Sequence, residues 1–257
     1  MKSTSKNRAR ALKVSSTTIV HRSNDRTGEK PLARIDAVPP LRNGDHLTVP
    51  EFERRYWAMP EANKTELIEG IVIMPSPVSP IHGDAHAAMN ELMRRYARAT
   101  PGVGCFVNTS TKLDGNNEYQ PDAFLRIKEG KQAGTKIGKD GLFDGAPEFV
   151  AEITLSSAAY DLHEKKDVYQ RNQVREYLVW LALDSQILWF SLEKGEFVEL
   201  KPTADETIRS HVFPGFWLDI KALLADDFEK VLRTLDKGIK SPEHRAFVKH
   251  LAKKEKN

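Results

Sequence analysis

The chain has 257 residues, 40% apolar and 29% charged, a balance that suits one folded domain with appendages, or two small ones, and excludes wholesale disorder. Its longest unbroken apolar run, Tyr177–Leu183, is far shorter than the about 20 residues a membrane-spanning helix needs. A single cysteine, Cys105, excludes an intrachain disulfide and a cysteine-built zinc site and predicts a reducing, cytoplasmic setting, while the net charge of +3 divides into +7 over residues 1–44 and −4 over the remainder.

In chain order, the basic leader comes first. Residues 1–24 are rich in Ser and Arg and contain no acid. That composition serves a solvated tail without a specific partner, an arm that neutralises phosphates, or a targeting peptide; no apolar segment of the secretory kind accompanies it. The leader is expected to end near Asp45, after Pro39-Pro40 and the turn signal Asn43-Gly44. Thr48-Val49-Pro50-Glu51 predicts a helix start, with the helix running to about Met59. Glu66–Met74 predicts a strand bent at Gly70. A Pro/Ser loop over Pro75–Pro80 precedes a helix over His82–Ala99, with Met89, Leu92, Met93 and Tyr96 on one side.

Strands are predicted near Val103–Thr109 and Asp122–Ile127, then a long surface loop over Lys128–Asp144. A strand over Glu148–Leu155 and a helix over Asp161–Asn172 follow. Further strands are Glu176–Leu183, Gln186–Leu192 and Glu196–Leu200, the first two joined by a tight turn at Asp184-Ser185. Asp219–Leu235 and Glu243–Lys254 predict closing helices. This order of elements gives a mixed α/β (α+β) domain over about 46–235 with a short helical extension.

The chemistry is concentrated in a few charged residues. Glu152 interrupts the apolar run Phe149-Val150-Ala151-Glu152-Ile153, where an unpaired carboxylate would cost several kcal/mol, so it needs a cationic partner or a metal. Asp122 opens the run Asp122-Ala123-Phe124-Leu125 directly after Pro121, which presents the acid at a strand mouth. Alone it could cap a turn. Together the two carboxylates could hold a hard cation such as Mg²⁺. Asp161 and Glu164 have capping-box spacing. Lys165 shares a helix face with Leu162, Val168 and Tyr169 by i, i+3 and i+4 spacing, so it should point inward, whereas Lys166 should face water. An inward lysine beside two carboxylates suits phosphate chemistry; the competing reading is a lysine that snorkels to the surface.

Gln120-Pro121-Asp122, Ala146-Pro147-Glu148-Phe149-Val150-Ala151-Glu152, Asp161-Leu162-His163-Glu164-Lys165 with Tyr169, and Val174-Arg175-Glu176-Tyr177 resemble, in order, the motifs of the Uma-two family of restriction-endonuclease-like proteins with the PD-(D/E)XK nuclease fold. Glu66-Leu67-Ile68-Glu69-Gly70, Ser79-Pro80-Ile81-His82 and Val212–Leu218 fit the same resemblance. It implies a mixed β-sheet flanked by helices over residues 46–225, after a leader over 1–45 and before a helical extension over 226–257. It also implies that Asp122 and Glu152 are metal carboxylates, Glu66 the acid that completes the metal site, and Lys165 the catalytic lysine. The position two after Glu152 is Thr154, so the lysine has to come from the helix. His82 matches the family's Ser-Pro-x-His and sits at a helix start where it could meet a substrate phosphate; a helix-end structural role is the alternative. His82 and His86 lack the third ligand that zinc would need. Tyr169 is expected in the core, with a hydrogen bond to the site as the alternative, and Trp180, Trp189 and Trp217 are expected in the core or on a sheet face.

The resulting expectation is an Mg²⁺- or Mn²⁺-dependent endonuclease acting on DNA, without membrane contact and with homodimerisation suited to cutting both strands. The alternatives are a nucleic-acid-binding protein on a nuclease scaffold and an interaction protein whose acids form a structural ion pair.

Overall fold

The computed structural model describes residues 38–59, 64–130, 133–155 and 163–254, and Val38–Asn257 cluster as one unit. The chain joins the fold before the expected boundary at 45. Leu41 is buried, and the amides of Gly44 and Leu47 donate to the carbonyls of Val72 and Gly70. Residues 1–37 lie outside the described residues.

Helix α1 (Val49–Tyr56) starts after Thr48, with Pro50 in its first turn and Glu51 paired with Arg54 and Arg55 one turn on. It ends three residues before the expected Met59. The predicted bent strand 66–74 is instead a hairpin, β1 (Glu66–Ile68) and β2 (Ile71–Ile73). Glu69 and Gly70 have φ of 53° and 76°, the left-handed pair that closes a two-residue hairpin. Helix α2 (Pro80–Ala99) is capped by the Ser79 hydroxyl, which accepts from the His82 amide at 3.2 Å.

The chain then forms β3 (Val103–Val107), β4 (Thr111–Asp114), β5 (Asn117–Tyr119) and β6 (Ala123–Ile127). The expected loop 128–144 contains β7 (Thr135–Ile137) and runs into β8 (Phe143–Gly145). Its order comes from Glu148, whose buried carboxylate accepts from the amides of Ile127 and Gly134 at 2.7 and 2.5 Å. Next come β9 (Phe149–Thr154), α3 (Lys165–Arg171), β10 (Glu176–Leu181), β11 (Gln186–Glu193), β12 (Glu196–Glu199), β13 (Ile208–Arg209) and β14 (Trp217–Leu218). The predicted helix 219–235 is two helices, α4 (Ile220–Leu224) and α5 (Phe228–Ile239), each begun by an aspartate cap, and α6 (Pro242–Lys254) ends the described chain.

Two six-stranded sheets result. The central sheet has the order β12-β11-β10-β9-β6-β3 and the second the order β2-β1-β5-β4-β8-β7. Each is mixed, with one parallel pair, β9/β10 and β4/β8. Strands β9 and β10 are buried along their full length, which is why their sequences are nearly continuous apolar runs. The period of two sorts the central sheet's side chains. Phe149, Ala151 and Ile153 meet α2 and the C-terminal helices; Val150 faces a second core with Val168, Tyr169, Tyr119 and Ile68. The helices after residue 226 belong to the first core through Val231, Leu235 and Leu251, so they complete the domain rather than extend it. Among the described residues no helix is long and apolar enough to cross a membrane.

Candidate active site

Glu152 lies on the same face of β9 as Val150, the face that α3 covers. It therefore meets Lys165 and Tyr169, which lie one turn apart on α3 and are both buried. Lys165 Nζ donates to Glu152 Oε1 at 3.1 Å, and the Tyr169 hydroxyl donates to the same oxygen at 2.7 Å. Lys165 Nζ is also 3.2 Å from Glu66 Oε2, so one ammonium joins a strand of the second sheet to a strand of the central sheet. The inward orientation expected for Lys165 is present. Lys166, expected in water, is half-buried with its Nζ 3.9 Å from the centre of the Phe190 ring. Asp161 and Leu162, expected to cap and extend α3, lie outside the described residues.

Asp122 immediately precedes β6, whose register pairs Ala123 with Ala151 and so sets Asp122 opposite Glu152. The two acids are bound crosswise through the main chain. The Ile153 amide donates to Asp122 Oδ2 at 2.9 Å, and the Asp122 amide points to Glu152 Oε2 at 3.3 Å. Glu66 is held likewise, its Oε1 accepting from the Gln120 amide at 2.8 Å. Two histidines of α2 contact Asp122. His82 Nε2 is 3.4 Å from Asp122 Oδ2, and His86 Nε2 is 2.9 Å from the Asp122 carbonyl. The rings are thus engaged separately, with centres 5.8 Å apart, and do not form a zinc pair. His86 has no sequence signal beyond its spacing from His82, whereas Tyr169, expected in the core with a hydrogen bond to the site as the alternative, is buried and makes that bond.

The electrostatics follow from burial and charge. The side chains of Glu152, Lys165, Asp122, Glu66 and His82 are between 4% and 15% exposed. The Asp122 hydrogen bond raises the His82 pKa above its ordinary value against the opposing effect of burial. Burial drives the Asp122 carboxyl up, but His82, the Ile153 amide and Lys165 outweigh it and hold the pKa below the usual range. Burial, with the Glu152 charge beside it, holds the Tyr169 phenol well above its ordinary pKa, so Tyr169 is a hydrogen-bond donor here.

Glu66, His82, Asp122, Glu152 and Lys165 line a small cavity of about 170 Å³ with Lys64, Gln120 and the loop from Met74 to Val78. Three carboxylates, Glu66, Asp122 and Glu152, face two lysines, Lys64 and Lys165, and His82. The all-oxygen donor set has the chemistry of a hard-cation site. Among the described residues no three His, Cys, Asp or Glu side chains close on one point, because Lys165 stands between Glu66 and Glu152. The pair best placed to share a cation is Asp122 with Glu152, and the donor set fits one.

Residues 49–221, well over half of the chain, match the model of the Uma2 family, whose description is "Putative restriction endonuclease". A crystal structure from Anabaena variabilis, titled as a putative nuclease belonging to DUF820, shares the fold at a TM-score of 0.51 and 15% identity. The match covers 67% of this chain and 96% of that one. No curated protein matches the sequence.

Proposed function

This chain belongs to the Uma2 family, and from that premise we propose that it is a metal-dependent endonuclease that hydrolyses phosphodiester bonds in DNA. The observation that carries the reading is the convergence of Glu66, Asp122, Glu152 and Lys165, from both sheets and a helix, on one cavity. Asp122 and Glu152 would hold Mg²⁺ or Mn²⁺, which would supply an activated water and a Lewis acid for the phosphate, and Glu66 would complete the set once Lys165 turns from between it and Glu152 towards the phosphate. Lys165 offers an ammonium, already steered by Glu66 and Glu152, to the charge that grows on the phosphoryl oxygens. His82, biased towards its protonated form, donates to a phosphate oxygen from the helix start. The main-chain amides that clasp the three acids fix their positions before substrate arrives. A cavity of about 170 Å³ suits a phosphate group better than a nucleoside, so the bases stay outside it.

Cleavage of supercoiled and linear DNA with Mg²⁺ or Mn²⁺ tests the reading. Asp122→Ala, Glu152→Ala and Lys165→Ala should each lower the rate by at least ~10²-fold. Calorimetry should show metal binding by the wild type and none by Asp122→Ala/Glu152→Ala. Absence of both cleavage and metal binding in the wild type would overturn it. One observation favours a second reading, a nucleic-acid-binding protein that does not cut: Lys165 already satisfies two of the three acids without a metal.

A further inference from the structure

Strand β3 is the last strand of the central sheet, hydrogen-bonded, among the described residues, to β6 on one side only. Its other edge therefore presents outward N–H and C=O groups. Beside that edge runs α2, antiparallel to it in the sense that the chain turns at Thr100–Gly102 and comes back. Between them is a groove of about 590 Å³ lined by Arg94, Ala97 and Arg98 of α2, by Cys105 and Val107 of β3, and by Lys128 beyond β6. All three cations are exposed, and among the described residues none of them forms an ion pair. The contrast with their neighbour Arg95 is informative. Arg95 points to the other side of α2 and is bound by both oxygens of Asp236 at 2.7 Å.

The outer strand ends beside the candidate active site. Asn108, the residue after β3, donates its amide to the carbonyls of Pro121 and Asp122 at 3.1 and 3.2 Å. On the α2 side His86 reaches the Asp122 carbonyl. From His86 the helix carries Arg94 and Arg98 away from Asp122, at about 6 Å per four residues, to about 18 Å at Arg98. A row of unneutralised cations beside outward main-chain donors is complementary to a chain of phosphates and not to a neutral or basic protein strand, and the nearness of the phosphate-sized cavity favours phosphates over an acidic strand.

We propose that the groove between α2 and the outer edge of β3 is the track for the nucleic-acid backbone flanking the scissile phosphate, with Arg94, Arg98 and Lys128 as its phosphate contacts. The proposal rests on the nuclease reading for what lies at the inner end, but it concerns binding and can fail separately. The cations act without base contacts, so the track is indifferent to sequence.

The test is equilibrium binding of a short fluorescein-labelled DNA duplex, and of its single strand, to the full chain in chelator, where cleavage does not interfere. The triple variant Arg94→Ala/Arg98→Ala/Lys128→Ala is compared with a charge-matched control on exposed lysines of α5 and α6, Lys237→Ala/Lys249→Ala/Lys253→Ala. The triple variant should bind at least tenfold more weakly, and the slope of log K against log salt should fall by about 2–3, near 0.9 for each lost contact. The control should keep the wild-type slope to within one contact, and Asp122→Ala/Glu152→Ala should bind although it cannot cut. The proposal is overturned if the triple variant matches the wild type, if the control loses as much, or if the wild type binds neither probe. It is also overturned if the triple variant changes only the oligomeric state in light scattering, which would make the edge of β3 a seam between copies. A wild type that binds through these residues but never cleaves sinks the nuclease reading and leaves the track standing.

Discussion

Glu118 is 5% exposed on β5, and one of its carboxyl oxygens has no hydrogen-bond partner among the described residues. Burial, reinforced by the charges of Glu53 and Asp140 against Lys112, pushes its pKa up to about 7. A carboxyl raised in the folded state keeps its proton over a range where the unfolded chain has lost it. Stability should therefore fall as pH rises from about 4.5 to about 7 and then level off, the full cost being present above 7. Glu118→Gln should remove that slope and stabilise the protein at pH 8 by a few kcal/mol, each tenfold change in proton affinity being worth about 1.4 kcal/mol. Denaturant unfolding at pH 5 and 8 measures it; a variant as pH-dependent as the wild type would refute the assignment. Such costs are not legible in a sequence, where Glu118 stands in a polar stretch, Asn116-Asn117-Glu118, that resembles a surface turn. Lys165 was legible because i+3 and i+4 neighbours fix a helix face, and Glu152 because a carboxylate among apolar residues requires a partner.

At the scale of elements, the close contact between α5 and the segment before β14 depends on two glycines. A Cβ on Gly238 would lie 2.3 Å from the Gly215 carbonyl oxygen and 2.8 Å from the Trp217 ring. The obstacle is main chain on a packed segment, so it cannot rotate away. Alanine at a helical glycine normally gains about 1 kcal/mol. Here Gly238→Ala should instead cost about 2 kcal/mol or more, read as a lower midpoint in urea at constant slope. A stabilised variant would show that the two segments separate easily. The long apolar strands β9 and β10 and the amphipathic α2 were readable from periodicity. The strands β4, β5, β7 and β8 were not. They are three or four residues long and largely polar, and they exist because neighbours supply their hydrogen bonds: the Thr111 hydroxyl donates to the Gly145 carbonyl, and Glu148 holds Gly134. Local propensity contains no trace of such partners.

Across the whole molecule, the connection Gln120-Pro121-Asp122 carries the chain from the second sheet to the central one, and the site is assembled at that crossing. The crossed bonds between Asp122 and Glu152 make the acids part of the junction. Asp122→Asn keeps an oxygen to accept the Ile153 amide, whereas Asp122→Ala does not. Hydrogen exchange at Ile153 should accelerate markedly in the alanine variant and stay near the wild-type rate in the asparagine variant, although both should fail to cleave. Equal exchange in all three proteins would show that the bond does not secure the junction. This double duty bears on how relatives of this chain are to be judged over evolutionary time. A lineage that gave up its chemistry would still need a hydrogen-bond acceptor at position 122 and a partner for Lys165 at position 152, so selection would preserve most of the apparent catalytic signature long after activity had gone. Arg94, Arg98 and Lys128, exposed and outside the ion pairs of the described fold, have no such protection. Their decay, or an exchange of Asp122 for asparagine, would be the earliest mark of a lineage that no longer cuts.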